Sequence, residues 1–321
     1  MTSLRSPMDT FVSLLLVSSE KSPLTEETLL NAHRELEQGF TDFEIVIVSN
    51  RFQPDMTEPA VSLLDALASI RIIKLANPVS YEVAMSAALE NSIGDFVILT
   101  DLPRDPVDVI GPMVERCKAG ADVLVGTSKQ PRTLALKVIE PIFDRLLHKV
   151  GYAIPGNATT LRCLSRRAVI AVTRGGRFHH TPFVRMTKTG YPVESYSYKV
   201  SNNLPAKTLG ASIREVLRLI IFNSTRPMRW ITTSGITLAL VAALLAAFLL
   251  PSTSALLGTV LALILAFQFL GLGFLGEYVG RLLDERSEEF FYMVAEERTS
   301  SVVPARNRLN VAGQAEEGPR S

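Results

Sequence analysis

Phe11-Val-Ser-Leu-Leu-Leu-Val17 is an uncharged run of strand length, rich in large apolar residues, and similar runs recur along the first half of the chain. The others are Phe43–Val48, Ile70–Leu75, Phe96–Thr100 and Val123–Gly126. Between them lie helical patterns at Leu24–Gln38, Ala60–Ala68, Tyr81–Glu90 and Val107–Ala119. Runs this short, apolar throughout, suit strands buried on both faces. Alternation of strand and helix predicts an α/β fold: a mostly parallel sheet with helices on both faces. Ser22-Pro23 reads as a cap followed by proline at the first helical position. Arg5 before the first run has the look of a leader, but Asp9 and the lack of an Ala-x-Ala site favour a buried strand.

In a parallel sheet, ligands bind at the carboxyl ends of the strands. The expected ligand loops are therefore Ser18–Lys21, Ser49–Asp55 and Asp101–Asp105. No glycine-rich loop follows the first strand, which argues against a dinucleotide fingerprint and a P-loop. Thirty-three basic residues balance thirty-two acidic ones in 321 residues, a net charge of +1, so nucleic acid is not an expected partner. Two cysteines, Cys117 and Cys163, have neither metal nor disulfide spacing and read as reduced buried thiols.

The second half of the chain changes character. Trp230–Leu250 and Ala255–Gly276 carry no charge, and only Pro251-Ser-Thr-Ser254 separates them. About 20 helical residues span a hydrocarbon core, so this predicts a hairpin of two transmembrane helices over 230–276. Lys207, Arg214, Arg218, Arg226 and Arg229 precede the first span, and Arg281 and Arg286 follow the second. The positive-inside rule then puts both termini in the cytoplasm and the Pro251–Ser254 turn outside. In Ser212–Phe222, apolar residues at helical spacing predict a juxtamembrane amphipathic helix within 206–229, either in the membrane plane or packed on the domain. Gly276 and Gly280 would allow close helix packing, within the hairpin or in a homo-oligomer.

Between sheet and membrane, Thr133–Val150 reads as helical, and Leu161–Ala168 leads into another helix. Gly175–Pro192 is loop-rich; its His179-His180 lacks a third ligand at metal spacing. The domain plan is thus a cytoplasmic domain over 10–205, the juxtamembrane helix, the hairpin, a cytoplasmic helix or strand over 277–298, and a polar tail over 299–321 read as disordered.

Four stretches then resemble one family. These are Ser224-Thr-Arg-Pro-Met-Arg229 and Leu275-Gly-Glu-Tyr-Val-Gly-Arg281 around the hairpin, Leu164-Ser-Arg-Arg167 within 154–172, and Gly94-Asp-Phe-Val-Ile-Leu-Thr-Asp101 with Asp105-Pro106. Over residues 10–298 the chain is similar to the membrane-anchored polyisoprenyl-phosphate glycosyltransferases, which include dolichol-phosphate mannose synthase. The resemblance implies a GT-A (Rossmann-like) fold, a nucleotide-sugar donor, a polyprenyl-phosphate acceptor of the undecaprenyl type, the lipid bilayer as a partner, and Mg2+ or Mn2+. Carboxylates would hold the metal, and the metal would neutralise the departing diphosphate.

The site motifs depart from the family pattern. Val17-Ser-Ser19-Glu20-Lys21 stands where the family has Pro-Val-Tyr-Asn-Glu, and Ser49-Asn50-Arg-Phe52 where it has Asp-Asp-Gly-Ser. Asp101-Leu-Pro-Arg-Asp105-Pro106 is one residue shorter than the family's Asp-x-Asp stretch, and Thr160 stands where an acidic residue is expected before Arg162. By this match Asp101, Asp105 and Arg162 are the catalytic positions, with Asp101 the metal ligand. Val17, Ser19, Glu20, Ser49, Asn50, Asp101, Lys129 and Arg132 would face the donor. Arg162, with Arg166 and Arg167, could meet a lipid phosphate. The residues themselves leave plainer roles open: Asp101 ends a strand, and Asp105-Pro106 is ordinary helix-start chemistry. Two readings follow, an active transferase with a divergent donor site and a catalytically degenerate membrane scaffold.

Overall fold

A computed structural model describes residues 7–18, 24–50, 58–128, 155, 157–174, 182–200 and 292–302, with separate helical positions between 233 and 279. The chain divides into two units. One comprises Met1–Pro131, Ala153–Pro205 and Phe290–Ser321, and the other Arg132–Tyr152 and Ala206–Glu289.

The first unit holds an eight-stranded sheet among its described residues. Its strands are β1 (Met8–Ser18), β2 (Phe40–Ser49), β3 (Ile70–Leu75), β4 (Phe96–Leu99), β5 (Val123–Thr127), β6 (Ala158–Ser165), β7 (Val193–Ser197) and β8 (Val294–Thr299). They lie in the order β7-β5-β6-β4-β1-β2-β3-β8. The block β4-β1-β2-β3 is parallel, as expected from the alternation, and β5 also runs parallel to β7. Strand β6 enters antiparallel between β4 and β5, and β8 pairs antiparallel with β3. The sheet is therefore mixed, with β6 and β8 running against the other six strands, which share the direction expected from the sequence. Residues 161–165 close β6, where Leu161, Cys163 and Leu164 are wholly buried, and the chain passes at Arg166 into a helix, as expected from the sequence.

Alternate residues of the central strands feed two cores. Leu14, Leu16, Ile45, Ile47 and Ile72 pack with Leu29 and Leu36 of α1 (Glu26–Gly39) and Met113 of α4 (Ile110–Lys118). Leu15, Val46, Val48 and Ile73 pack on the other face with Met85 of α3 (Tyr81–Glu90) and Val169 of α5 (Arg166–Thr173). Helix α1 turns a stripe of Leu29, Ala32, His33 and Leu36 inward, the spacing of one helical face. Its cap is Thr25, not Ser22: Thr25 Oγ1 accepts from Thr28 N, while Thr25 N donates to Thr28 Oγ1.

Two other expectations change. The predicted helix over Ala60–Ala68 shrinks to α2 (Glu58–Val61), followed by turns in which Leu63 and Leu64 donate to carbonyls three residues back. The helix predicted from Val107 opens with a tight turn, Val107–Val109, before α4 begins. Strand β7 and the short α6 (Pro182–Thr187) lie in stretches with no predicted element. Thr299, placed with the tail from sequence, ends β8, and Ser300 N donates to Ile70 O at 2.9 Å.

In the second unit, the described positions from Thr233 to Val279 are helical, and Leu240, Leu261 and Leu272 are about 60% exposed. A methyl group added at Gly235 would meet the Phe267 ring at 3.1 Å. Among the described residues no helix is long and apolar enough to cross a membrane. The rest of both predicted spans, with Thr133–Val150, Ser212–Phe222, Pro251–Ser254 and the tail from 303, lies outside the described residues.

Candidate functional site

The carboxyl ends of β1, β2 and β4 share one edge of the sheet, because those strands are parallel. The beginning of β6 reaches the same edge, since Leu99 and Val125 both stand opposite Arg162 and Thr127 stands opposite Ala158. The end of β7 arrives there too, with Ser197 beside Thr127. The carboxyl ends of β1, β2, β4, β5 and β7 and the beginning of β6 thus lie along the edge that carries the loop after β4.

That loop, Thr100 to Asp105, is a closed turn. The carbonyl of Asp101 accepts from the backbone N–H groups of Arg104 and Asp105, each at 2.8 Å. Asp105 Oδ2 accepts from Asp101 N at 3.0 Å and from the Thr100 hydroxyl at 3.2 Å. Asp105 Oδ1 accepts from the phenol of Tyr198, just beyond β7, and that phenol oxygen lies 2.9 Å from Thr159 Oγ1. Asp105 is only 3% exposed. Burial pushes its pKa up, against the pull of the hydrogen bonds from Tyr198, the Asp101 backbone and Thr100. Burial and the charge of Asp105 likewise raise the Tyr198 phenol well above its ordinary value. Tyr81, at the start of α3, is raised by burial and then by Asp101 and Asp105. Close approach makes Gly126 necessary: a side chain there would come within 2.9 Å of both Leu161 and Tyr198.

Asp101 and Arg104 form an ion pair, Oδ2 to Nε 3.2 Å, in which the aspartate side chain is 7% exposed and the arginine 41%. Arg162 is buried on β6; its Nη1 donates to the carbonyls of Thr159 and Leu161, and its guanidinium lies 5.2 Å from the centre of the Phe183 ring. The structure therefore brings Asp101, Asp105 and Arg162 together, but Asp105 spends both oxygens on the turn and on Tyr198.

Val17 is buried in the core beside α3, and Ser49 is buried level with Ser18 of β1 and Lys74 of β3. Lys74 pairs with Glu296 of β8 at 3.4 Å. Asn50 accepts from Val79 N at 2.9 Å and donates to Val79 O at 2.8 Å, which holds the approach to α3. Arg166 donates to the carbonyls of Gly94 and Ser92, and Arg167 pairs with Asp122, so both serve the opposite end of β6. Ser19, Glu20, Lys129, Arg132 and His179-His180 lie outside the described residues.

Sequence reasoning missed Arg104, Tyr198 and Tyr81. Arg104 stood inside a quoted motif without a role, and Tyr198 had no signal beyond an alternating Tyr-Ser-Tyr. Among the described residues no group of three metal-ligating side chains exists. Among the described residues, the two carboxylates of this loop are one already opposed by a guanidinium and one turned inward, a pair that does not fit Mg2+ or Mn2+ by itself.

No family model matches the chain. It is 26% identical to the undecaprenyl-phosphate 4-deoxy-4-formamido-L-arabinose transferase of Pseudomonas aeruginosa, over 93% of this chain and 94% of that one. It is 27% identical to the prophage bactoprenol glucosyl transferase homolog of Escherichia coli, over 79% and 88%. Among solved structures, the glucosyl-3-phosphoglycerate synthase of Mycobacterium tuberculosis in complex with Mn2+, UDP and phosphoglyceric acid aligns at TM-score 0.48 and 15% identity. That alignment covers 66% of this chain and 78% of the synthase, and it carries nothing about the site. The sheet with helices packed on both faces is the α/β architecture expected from the sequence. The chain is thus similar, along 79% to 93% of its length, to glycosyltransferases named for undecaprenyl-phosphate and bactoprenol.

Proposed function

We propose that this chain moves a sugar from a nucleotide-sugar donor onto a polyprenyl phosphate at the cytoplasmic face of a bacterial membrane. The observation that carries the reading is the pairing of β8 with β3. The uncharged stretches fall between β7 and β8, yet β8 belongs to the same sheet as β1 to β7. A chain that leaves this unit after Pro205 and returns by Phe290 must cross a bilayer an even number of times, if it crosses at all. Two spans with both flanks on one side meet that condition, and the arginine asymmetry makes that side the cytoplasm. The contact of Gly235 with Phe267 supports an antiparallel hairpin, since the two residues lie equally far from Pro251 along the chain. The donor site and the lipid headgroups would then face the same compartment.

The chemistry asks little of the protein. An oxygen of the lipid phosphate attacks C1 of the sugar; the C1–O bond to the diphosphate breaks, and a nucleoside diphosphate leaves with both bonding electrons. A phosphomonoester has a second pKa of about 6, so the nucleophile is ionised near neutral pH without a general base. Positioning and charge neutralisation carry the rate. The loop after β4 suits this role because its shape is set before any ligand arrives: Asp105 and Tyr198 hold the turn, and Asp101 stands at its mouth with Arg104. No step here runs through a metal. The full chain in detergent, given nucleotide sugars labelled in the sugar and undecaprenyl phosphate, should move label into the organic phase. Label that stays aqueous with every donor removes transfer and leaves a membrane scaffold.

A further inference from the structure

Three features of the Asp101–Asp105 turn bear on what neutralises the donor's diphosphate. First, Asp105 is fully engaged by the turn and by Tyr198, so it cannot swing out as a second carboxylate ligand without opening the loop. Second, Asp101 already has a counter-charge, with Arg104 Nε at 3.2 Å from its Oδ2. Third, Arg104 is held at both ends. Its backbone N–H is bonded to the Asp101 carbonyl, and its Nε faces the Asp101 carboxylate. Among the described residues Asp101 is its one ion-pair partner, and the side chain is 41% exposed. The Arg104 side chain is thus part exposed in the loop that follows β4, with its Nε on Asp101.

This is a cation fixed beside a carboxylate, as an anion site requires. A guanidinium offers paired N–H donors that match phosphate oxygens, it stays charged at every working pH, and it needs less desolvation than an ammonium. A divalent ion on Asp101 would displace Arg104 or sit against its like charge.

We infer that Arg104 is the resident cation of this site and holds the donor's diphosphate directly, in place of a divalent metal. The inference rests on the transfer reading above. It makes Arg104 a donor-binding residue and gives Asp101 the task of aiming it. The shortened turn accounts for the exchange: with Pro103 at its middle, the loop presents one carboxylate and one guanidinium at its mouth instead of several carboxylates.

The test is calorimetry on the full chain in detergent with UDP, GDP, ADP, CDP and dTDP, each in excess EDTA and again in Mn2+. At least one nucleotide should bind the wild type equally well in both buffers. Arg104→Ala should weaken that binding in EDTA by roughly ten- to a hundredfold, the loss of a hydrogen bond to a charged group, and Arg104→Lys by less. In Arg104→Ala the Asp101 carboxylate loses its guanidinium neighbour, so Mn2+ should recover part of the loss, and the further change Asp101→Asn should remove that recovery. Wild-type binding abolished by EDTA, or Arg104→Ala binding as tightly as wild type in EDTA, overturns the inference while the transfer reading stands. If no nucleotide binds in either buffer, the donor reading itself fails and the inference falls with it.

Discussion

Tyr198 donates its phenolic hydrogen to Asp105, 93 residues earlier, and this bond ties the end of β7 to the turn after β4. It reaches across β5 and β6, which lie between those two strands, and it sets the shape of the loop that carries Asp101 and Arg104. Removing the hydroxyl leaves a buried carboxylate short of one donor. Tyr198→Phe should cost about 1.5–3 kcal/mol, the range for a hydrogen bond to a charged group. Thermal unfolding in detergent measures it, and an unchanged midpoint would mean that the bond holds nothing.

Asp105 also makes stability depend on pH. Its burial pushes the pKa up in the folded chain, so folding retains a proton that the unfolded chain would lose. That contribution is complete below the ordinary carboxylate pKa of about 4 and is lost as pH rises through the folded value. Asp105→Asn abolishes the titration. The stability of wild type minus that of the variant should therefore decrease as pH rises from about 4. Melting both proteins across the acidic range checks the sign, and a difference that grows with pH contradicts it.

Asn50 stood in the sequence at a donor-gripping position, yet both ends of its amide are bonded to the backbone of Val79. Asn50→Ala strands that backbone pair and should lower stability by about 1–3 kcal/mol. The readout is the unfolding midpoint, and a variant as stable as wild type would return Asn50 to the list of ligand contacts.

Much of this architecture was legible because apolar runs of strand length have few other uses. Ile70–Leu75 and Tyr81–Glu90 match their elements residue for residue. Strand β6 was not legible. It alternates buried apolar residues with Arg162 and runs straight into α5, so Ser165, the helix cap, hides the boundary. Strand β7 carries Glu194 and two serines in five residues, too polar to signal burial. The site was legible in place but not in partnership. Asp101 and Asp105 were found by matching, whereas the bond from Tyr198 depends on a pairing of β5 with β7 that no local pattern announces.

Topology gives a further outcome. A cysteine at Ser252 should react from outside intact cells with a reagent that cannot cross the membrane, and one at Ser3 should not. The native Cys117 and Cys163 are buried and should stay silent. The reverse pattern would move the sheet, and with it the proposed donor site, to the other face of the membrane.

The central claim is that a bond forms between sugar C1 and the phosphate already on the lipid, and mass spectrometry of the product tests it most directly. Wild-type protein, incubated with undecaprenyl phosphate and the nucleotide sugar it accepts, should yield a lipid that carries one sugar and one phosphate. Asp101→Asn should yield far less of it, because Arg104 loses the partner that aims it. A product with one sugar and two phosphates would mean that a sugar phosphate, not a sugar, is transferred. Either that product or a lipid recovered unchanged would contradict the account.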